Sequence, residues 1–204
     1  MNKNKIYLYL TASLALLLPV SGRIAWGLYI LLHFNLLVLF TTLLTHGIRK
    51  LKLEKFRPGI ICVEIISLTV LYKQLLNILC PVAAITLSLA LYFPAISSVI
   101  LTILASAEFD HLKQDLSEKL KISFSISGFC LVIIILRDVL GYGTITLPSW
   151  QKILVINIPS VFKSISLFSF IATIPGCIIL LALIVAAYEA YGKAKKLKNA
   201  AGEE

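Results

Sequence analysis

Five stretches of this chain carry no Asp, Glu, Lys or Arg: Ile6 to Gly22, Ile24 to Ile48, Gln74 to Ala107, Ile122 to Leu136 and Ser164 to Tyr188. Helices of about 20 mainly apolar residues span a bilayer, so runs of this length constrain the fold more than any other feature. They describe a polytopic membrane protein. The composition agrees, with 59% hydrophobic and 14% charged residues among 204, where a soluble domain has about 45–50% and 25%. Disorder, a collagen-like fibre, a disulfide scaffold and a nucleic-acid-binding domain are excluded by that balance.

The chain divides into six hydrophobic segments, at about 6–20, 24–48, 59–78, 91–107, 122–140 and 165–188, the third despite Glu64 and Lys73. Gln74 to Ala107 is too long for a single span at 1.5 Å per residue and is punctuated by Pro81 and Pro94, so one helix ends near Ile78 and another starts near Leu91. The first segment is short for a bilayer and closes on Pro19-Val20-Ser21-Gly22, all turn formers. Lys3 and Lys5 before an apolar run also describe a signal peptide, but the next hydrophobic helix follows at once and leaves no exported domain to deliver. A short interrupted helix fits the same residues, since irregular backbone is tolerated at membrane depth where it is protein-buried or lines a cavity.

The charges set an orientation. Arg49 to Arg57 holds five positive residues and one negative, and Lys113, Lys119, Lys121 and the Lys193 to Lys198 cluster fall on the same side in a six-span arrangement. The positive-inside rule then puts both termini in the cytoplasm, and the net charge of +9 concentrates on that face.

Motifs of soluble active sites are absent: no GxxxxGK[ST], GxSxG, HExxH or GxGxxG occurs. No independent catalytic site is expected. Cys62, Cys80, Cys130 and Cys177 lie in separate hydrophobic stretches without CxxC spacing and read as small buried residues. Intramembrane ionisable groups are costly and are functional candidates for that reason. Glu64 and Asp138 are the candidates for an ion path. Lys73 falls on the opposite helical face from Glu64 and cannot pair with it, while His33, Asn35 and His46 suit hydrogen bonds to neighbouring helices. The polar segment Ser106 to Lys121, with Asp115 and Lys119 at salt-bridge spacing, is expected as a short interfacial helix.

The string Leu136-Arg137-Asp138-Val139-Leu140-Gly141-Tyr142-Gly143-Thr144 resembles the LRE-[IV]-[IL]-G-x-GT element near the outer end of the fifth helix in the paired six-helix subunits of the Rnf and Nqr electron-transport complexes. The likeness is to the RnfE/NqrD branch. Further pieces follow in the same order. Thr45-His46-Gly47-Ile48-Arg49 resembles the end of the family's second helix, and Tyr92-Phe93-Pro94-Ala95-Ile96 its FIPLI string. Ala107-Glu108-Phe109 resembles AEAF, and Ile174-Pro175-Gly176-Cys177-Ile178 resembles PPGAFI in the last helix. Gln74 to Thr86 also resembles the family's Q-LLGLCPLLAVT stretch, but in a different segment from the one the other pieces assign.

The resemblance implies an all-α fold of two inverted three-helix repeats with interrupted first and fourth helices, in a bacterial cytoplasmic membrane. It implies a sister six-helix subunit, iron–sulfur and flavin in partner subunits, and electron transfer coupled to ion movement. In the family, cysteines of the interrupted helices hold an iron–sulfur centre inside the bilayer. In register through Ile48-Arg49 those cysteine positions fall on Ala15 and Ile100, and neither side chain ligates iron, so a scaffold or ion-path role is expected. The alternative from another class is a six-helix small-molecule transporter component, such as a vitamin-permease module.

Overall fold

The structure, a computed structural model, describes residues 12–20, 22–104, 112–149, 152–157 and 170–200. It is mostly helical. Residues 12–17 form a short helical stretch, followed by α1 (Ile24–Lys50), α2 (Arg57–Leu79), α3 (Pro81–Thr86), α4 (Phe93–Leu104), α5 (Leu112–Arg137) and α6 (Ile174–Ala200). Single 3-10 turns at Glu54–Phe56 and Ala90–Tyr92 lead into α2 and α4, and a π-helical turn, Asp138–Tyr142, closes α5. Three helical stretches are long and apolar enough to cross a membrane, Ile24–Lys50, Glu54–Leu79 and Leu112–Tyr142.

Helix α1 is the hub, packing against α2, α4 and α5. It buries residues on several faces, among them Trp26, Ile30, Phe34, Leu37, Val38 and Ile48. A helix that is apolar all round belongs in a core or a membrane. Helix α2 is different: its buried set is Ile65, Thr69, Tyr72 and Leu76, a single stripe at helical spacing. The other faces of α2 present Val63, Ile66, Val70, Leu71, Leu75 and Ile78, an apolar exterior that suits lipid.

Several expected boundaries shift. The stretch between the second and third hydrophobic helices is not a long loop, because the α1 helix runs on through Arg49 and Lys50 and the chain reverses at Leu51 to Leu53, with Lys52 in the left-handed region. Residues between Ile78 and Leu91, expected as a connection, contain α3, with Pro81 at its first turn where a missing N–H costs nothing. The expected interfacial helix is no separate element: Leu112 to Lys121 forms the first turns of α5. No proline interrupts Leu112 to Arg137, and the Lys119 Nζ to Asp115 Oδ2 pair at 3.0 Å is buried one turn apart. Residues 170–172 of the expected last segment are helical, a bend at Thr173 separates them from α6, and α6 carries the basic cluster as continuing helix. Residues 6–11, 105–107 and 165–169 of the expected segments lie outside the described residues.

The all-α expectation also misses an antiparallel hairpin, β1 (Thr144–Pro148) and β2 (Ile153–Asn157), registered from Thr144 opposite Asn157 to Pro148 opposite Ile153. Six of the ten strand residues are Thr, Ile or Val, the β-branched types a pleated ladder favours, and Pro148 and Asn157 fall at strand ends. A lone hairpin is marginal, and this one is anchored to α1 and to the π turn.

Glycine is required where backbones approach closely. A Cβ on Gly176 would run into the carbonyl oxygen of Phe170, whereas one on Gly128, in the middle of α5, would meet nothing within 4 Å. Gly176→Ala is expected to destabilise the chain by about 3 kcal/mol, because backbone cannot give way. Gly128→Ala is expected to stabilise it by about 0.5–1 kcal/mol. Thermal unfolding of the two variants in the same detergent checks the opposite signs.

Candidate functional site: the splice around Arg137 and Asp138

The chain breaks its helix between residue 17 and Ile24, with a turn at residues 18–20 and Gly22 in the left-handed region at φ 66°. Such a break frees carbonyls at the end of one helical stretch and N–H groups at the start of the next. In apolar surroundings each such group needs a protein partner. Arg137 and Asp138, consecutive at the end of α5 and both 0% exposed, supply them in opposite directions.

Arg137 serves the carbonyl side. Its Nη1 donates to Leu17 O at 3.2 Å and Val20 O at 3.1 Å, and its Nη2 to Ala172 O at 2.8 Å and Thr173 O at 3.4 Å, with Nε directed at Ile171 O at 3.4 Å. A guanidinium has five N–H groups, and here each has a carbonyl to address. The same side chain therefore closes two breaks, the one after residue 17 and the one at Thr173 before α6. Carbonyls at the ends of helical stretches carry partial negative charge, which offsets the buried cation without a carboxylate.

Asp138 serves the amide side. Its Oδ2 accepts from Ile24 N at 3.1 Å, Thr146 N at 2.9 Å and Thr146 Oγ1 at 2.7 Å, and its Oδ1 accepts from Thr144 Oγ1 at 2.8 Å. Thr146 Oγ1 in turn accepts from Ala25 N at 3.2 Å. Arg23, the N-cap residue of α1, makes no side-chain cap bond. Capping comes instead from a carboxylate 114 positions along the chain, placed where the positive end of the α1 dipole favours an anion.

The remaining residues of the LRDVLGYGT string make this geometry possible. The π turn carries the chain from Asp138 past Ala172, where a Cβ on Gly141 would approach the Ala172 Cβ to 2.7 Å. Gly143 then turns the chain into β1 at φ 62°, a conformation favouring glycine. The Arg23 guanidinium lies 5.3 Å from the centre of the Tyr142 ring, over its face. Thus Arg137, Asp138, Gly141, Gly143 and Thr144, singled out together in the sequence, form one structural unit. Thr146 belongs to it and was not singled out; its alternation with Thr144 on one strand is the signal that carried it.

Glu64 lies elsewhere, on α2 facing α1. Its Oε2 accepts from Thr41 Oγ1 at 3.1 Å, while its Oε1 is buried with no hydrogen-bond partner among the described residues. Nearer the other end of the same interface His33 stacks on Tyr72 with ring centroids 4.5 Å apart, and its Nε2 is 3.3 Å from Thr69 Oγ1. Asn35, on a different face of α1, bridges to α5 through Ser127 Oγ at 2.9 Å and Ser123 Oγ at 2.7 Å. Lys73 reaches Ser88 Oγ at 3.5 Å in the turn after α3.

Ala15 and Ile100, the positions that the resemblance sets against cysteine, fall on stretches that touch. Ala15 sits half-buried in the 12–17 stretch, Ile100 lies in α4, and Ser97 Oγ of α4 donates to Ala12 O at 3.3 Å. Cys80, Cys130 and Cys177 are buried and Cys62 is exposed, which departs from the buried reading of all four. Among the described residues no three His, Cys, Asp or Glu side chains gather as a metal would need. No family model, curated protein or solved structure matches the chain.

Removing Arg137 leaves several carbonyls buried without donors, each costing about 1–3 kcal/mol. Arg137→Ala is expected to cost at least about 3 kcal/mol, with Arg137→Lys between it and wild type because an ammonium offers three donors rather than a planar fork. Thr146→Val, which strands the Ala25 N–H, is expected to cost about 1–2 kcal/mol. Thermal unfolding in detergent that ranks Arg137→Lys with wild type contradicts the splice.

Proposed function

We propose that this chain is an integral membrane subunit of a bacterial ion-translocating electron-transport complex of the Rnf/Nqr type. The observation that carries the reading is the LRDVLGYGT string. The string that most resembles the family is also the one that holds a helix break together, with Arg137 and Asp138 partnered to the two sides of the break. A motif that performs a structural task tied to an interrupted helix supports an architecture built on interrupted helices.

On this reading the chain has six spans in two inverted repeats of three, with the 12–17 stretch and α3 as the short halves of broken helices. Both termini face the cytoplasm, which places the basic α1 to α2 turn and the basic end of α6 on that side. A sister six-helix subunit packs against it, and iron–sulfur and flavin reside in partner subunits. With Ala15 and Ile100 at the ligand positions, the chain acts as scaffold and ion path rather than as cluster holder. Glu64 and Asp138 are the acidic residues placed for an ion path, but the oxygens of Asp138 are engaged by four donor groups. Glu64 has an oxygen to spare.

The broken helices also suit a small-molecule transporter component, since such folds bind substrate at discontinuous helices. Affinity purification of the tagged chain from its native membrane separates the readings. Flavin- and iron-containing redox subunits are expected to co-purify, with no iron or acid-labile sulfide bound to this chain alone. Recovery of ATPase subunits or a retained vitamin assigns it to transport instead, and a stoichiometric cluster on the isolated chain overturns the scaffold role.

A further inference from the structure

Resting on the ion-translocating reading, the geometry points to Glu64 as a proton-exchanging site, so that the ion this chain handles is a proton rather than sodium. Glu64 stands on α2 where that helix crosses α1. Thr41 Oγ1 donates to Oε2 at 3.1 Å, and Oε1 is buried with no donor among the described residues. An ionised carboxylate in apolar surroundings is held by several donors or by a cation, as the saturated oxygens of Asp138 show in this same chain. With a single hydroxyl, Glu64 is left with too little to stabilise a charge, and binding a proton removes that charge.

Sodium would need a shell of oxygens, of the kind that membrane proteins take from unwound helices. Neither α1 nor α2 is unwound here. Both are continuous through Thr41 and Glu64, so their backbone carbonyls stay engaged within the helices and are not released as cation ligands. A proton needs one lone pair, and Oε1 has it.

The two directions along the interface differ in charge. Toward the turn between the helices, past the buried Thr45 and Ile48, Arg57 lies seven residues before Glu64 on α2, about 10 Å along the axis, with His46, Arg49 and Lys50 in the last turns of α1. In the other direction Leu37, Val38 and Ile65 are buried in the interface. The next titratable groups beyond them are His33 and Tyr29 on α1 and Tyr72 on α2. Of the two ends, the basic one carries the nearer water-facing groups, so proton exchange at Glu64 is assigned to that face, and buried apolar side chains separate it from His33.

Infrared difference spectroscopy of the full chain in lipid tests this without redox partners, so its outcome is independent of the co-purification experiment. At neutral pH a protonated-carboxyl C=O stretch is expected that shifts in D2O, disappears in Glu64→Gln, moves in Thr41→Val and is unchanged in Thr42→Val. Replacing choline chloride with sodium chloride is expected to leave it untouched. Absence of the band, a band that survives Glu64→Gln, or one abolished by sodium each overturns the proposal.

Discussion

A helix interrupted inside an apolar core exposes the one kind of polar group that no side-chain substitution removes, the backbone itself. The described structure resolves this at one dipeptide. Arg137 addresses carbonyls at Leu17, Val20 and residues 171–173, and Asp138 addresses the amides that start α1. The signs match the helix dipoles, cation at carbonyl ends and anion at an amide end, which is why two buried charges coexist here without a direct ion pair between them. Removing either leaves orphaned backbone as well as an unbalanced field. The starts of α1 and α6, the π turn and β1 all meet at these two residues, so much of the fold depends on them.

The rest of the packing follows from α1. Between apolar helices in lipid the hydrophobic effect gives little preference for one rotation over another, and side-chain hydrogen bonds and close packing set the register. Helix α1 distributes its polar residues accordingly. His33 and Thr41 face α2, where Thr69, Tyr72 and Glu64 meet them, and Asn35 faces α5, where Ser123 and Ser127 meet it. Three further hydroxyls, of Thr42, Thr45 and Thr69, return to the carbonyl four residues earlier on their own helix, and so remain hidden without specifying a neighbour.

The parts of this architecture that a sequence displays locally were legible in it. Charge-free runs located α1, α4, the apolar part of α5 and the body of α6, the apolar residues around Glu64 and Lys73 located α2, and Pro19 to Gly22 marked the break before α1. Where the reading depended on charge as a boundary it stopped short, because Asp115 and Lys119 neutralise each other inside α5 rather than ending it. The hairpin was missed because ten strand residues beside long helices give a weak alternating signal and draw their stability from Asp138. The cap itself joins Ile24 to a residue 114 positions away, and no local pattern encodes that distance. The string that the resemblance singled out is the one that carries the splice, and only the geometry shows what each of its residues touches.

Burial cost alone does not distinguish a structural charge from a functional one, and Glu64 and Asp138 differ where that rule is silent. Asp138 sits where donors converge from α1 and β1, so its charge is part of the fold. Glu64 has one hydroxyl and an orphaned oxygen, so its charge would be a debt the fold does not cover. The break after residue 17 bears on the same distinction. An unbroken helix would satisfy its backbone at no cost, whereas this one requires two buried ionisable residues, several close-packed glycines and a hairpin to stay closed. Local strain maintained at that expense belongs with function. The stretch it isolates carries Ala15 and is tied to α4 through Ser97, so the break is held on one side by the Arg137–Asp138 pair and on the other by a hydroxyl of α4.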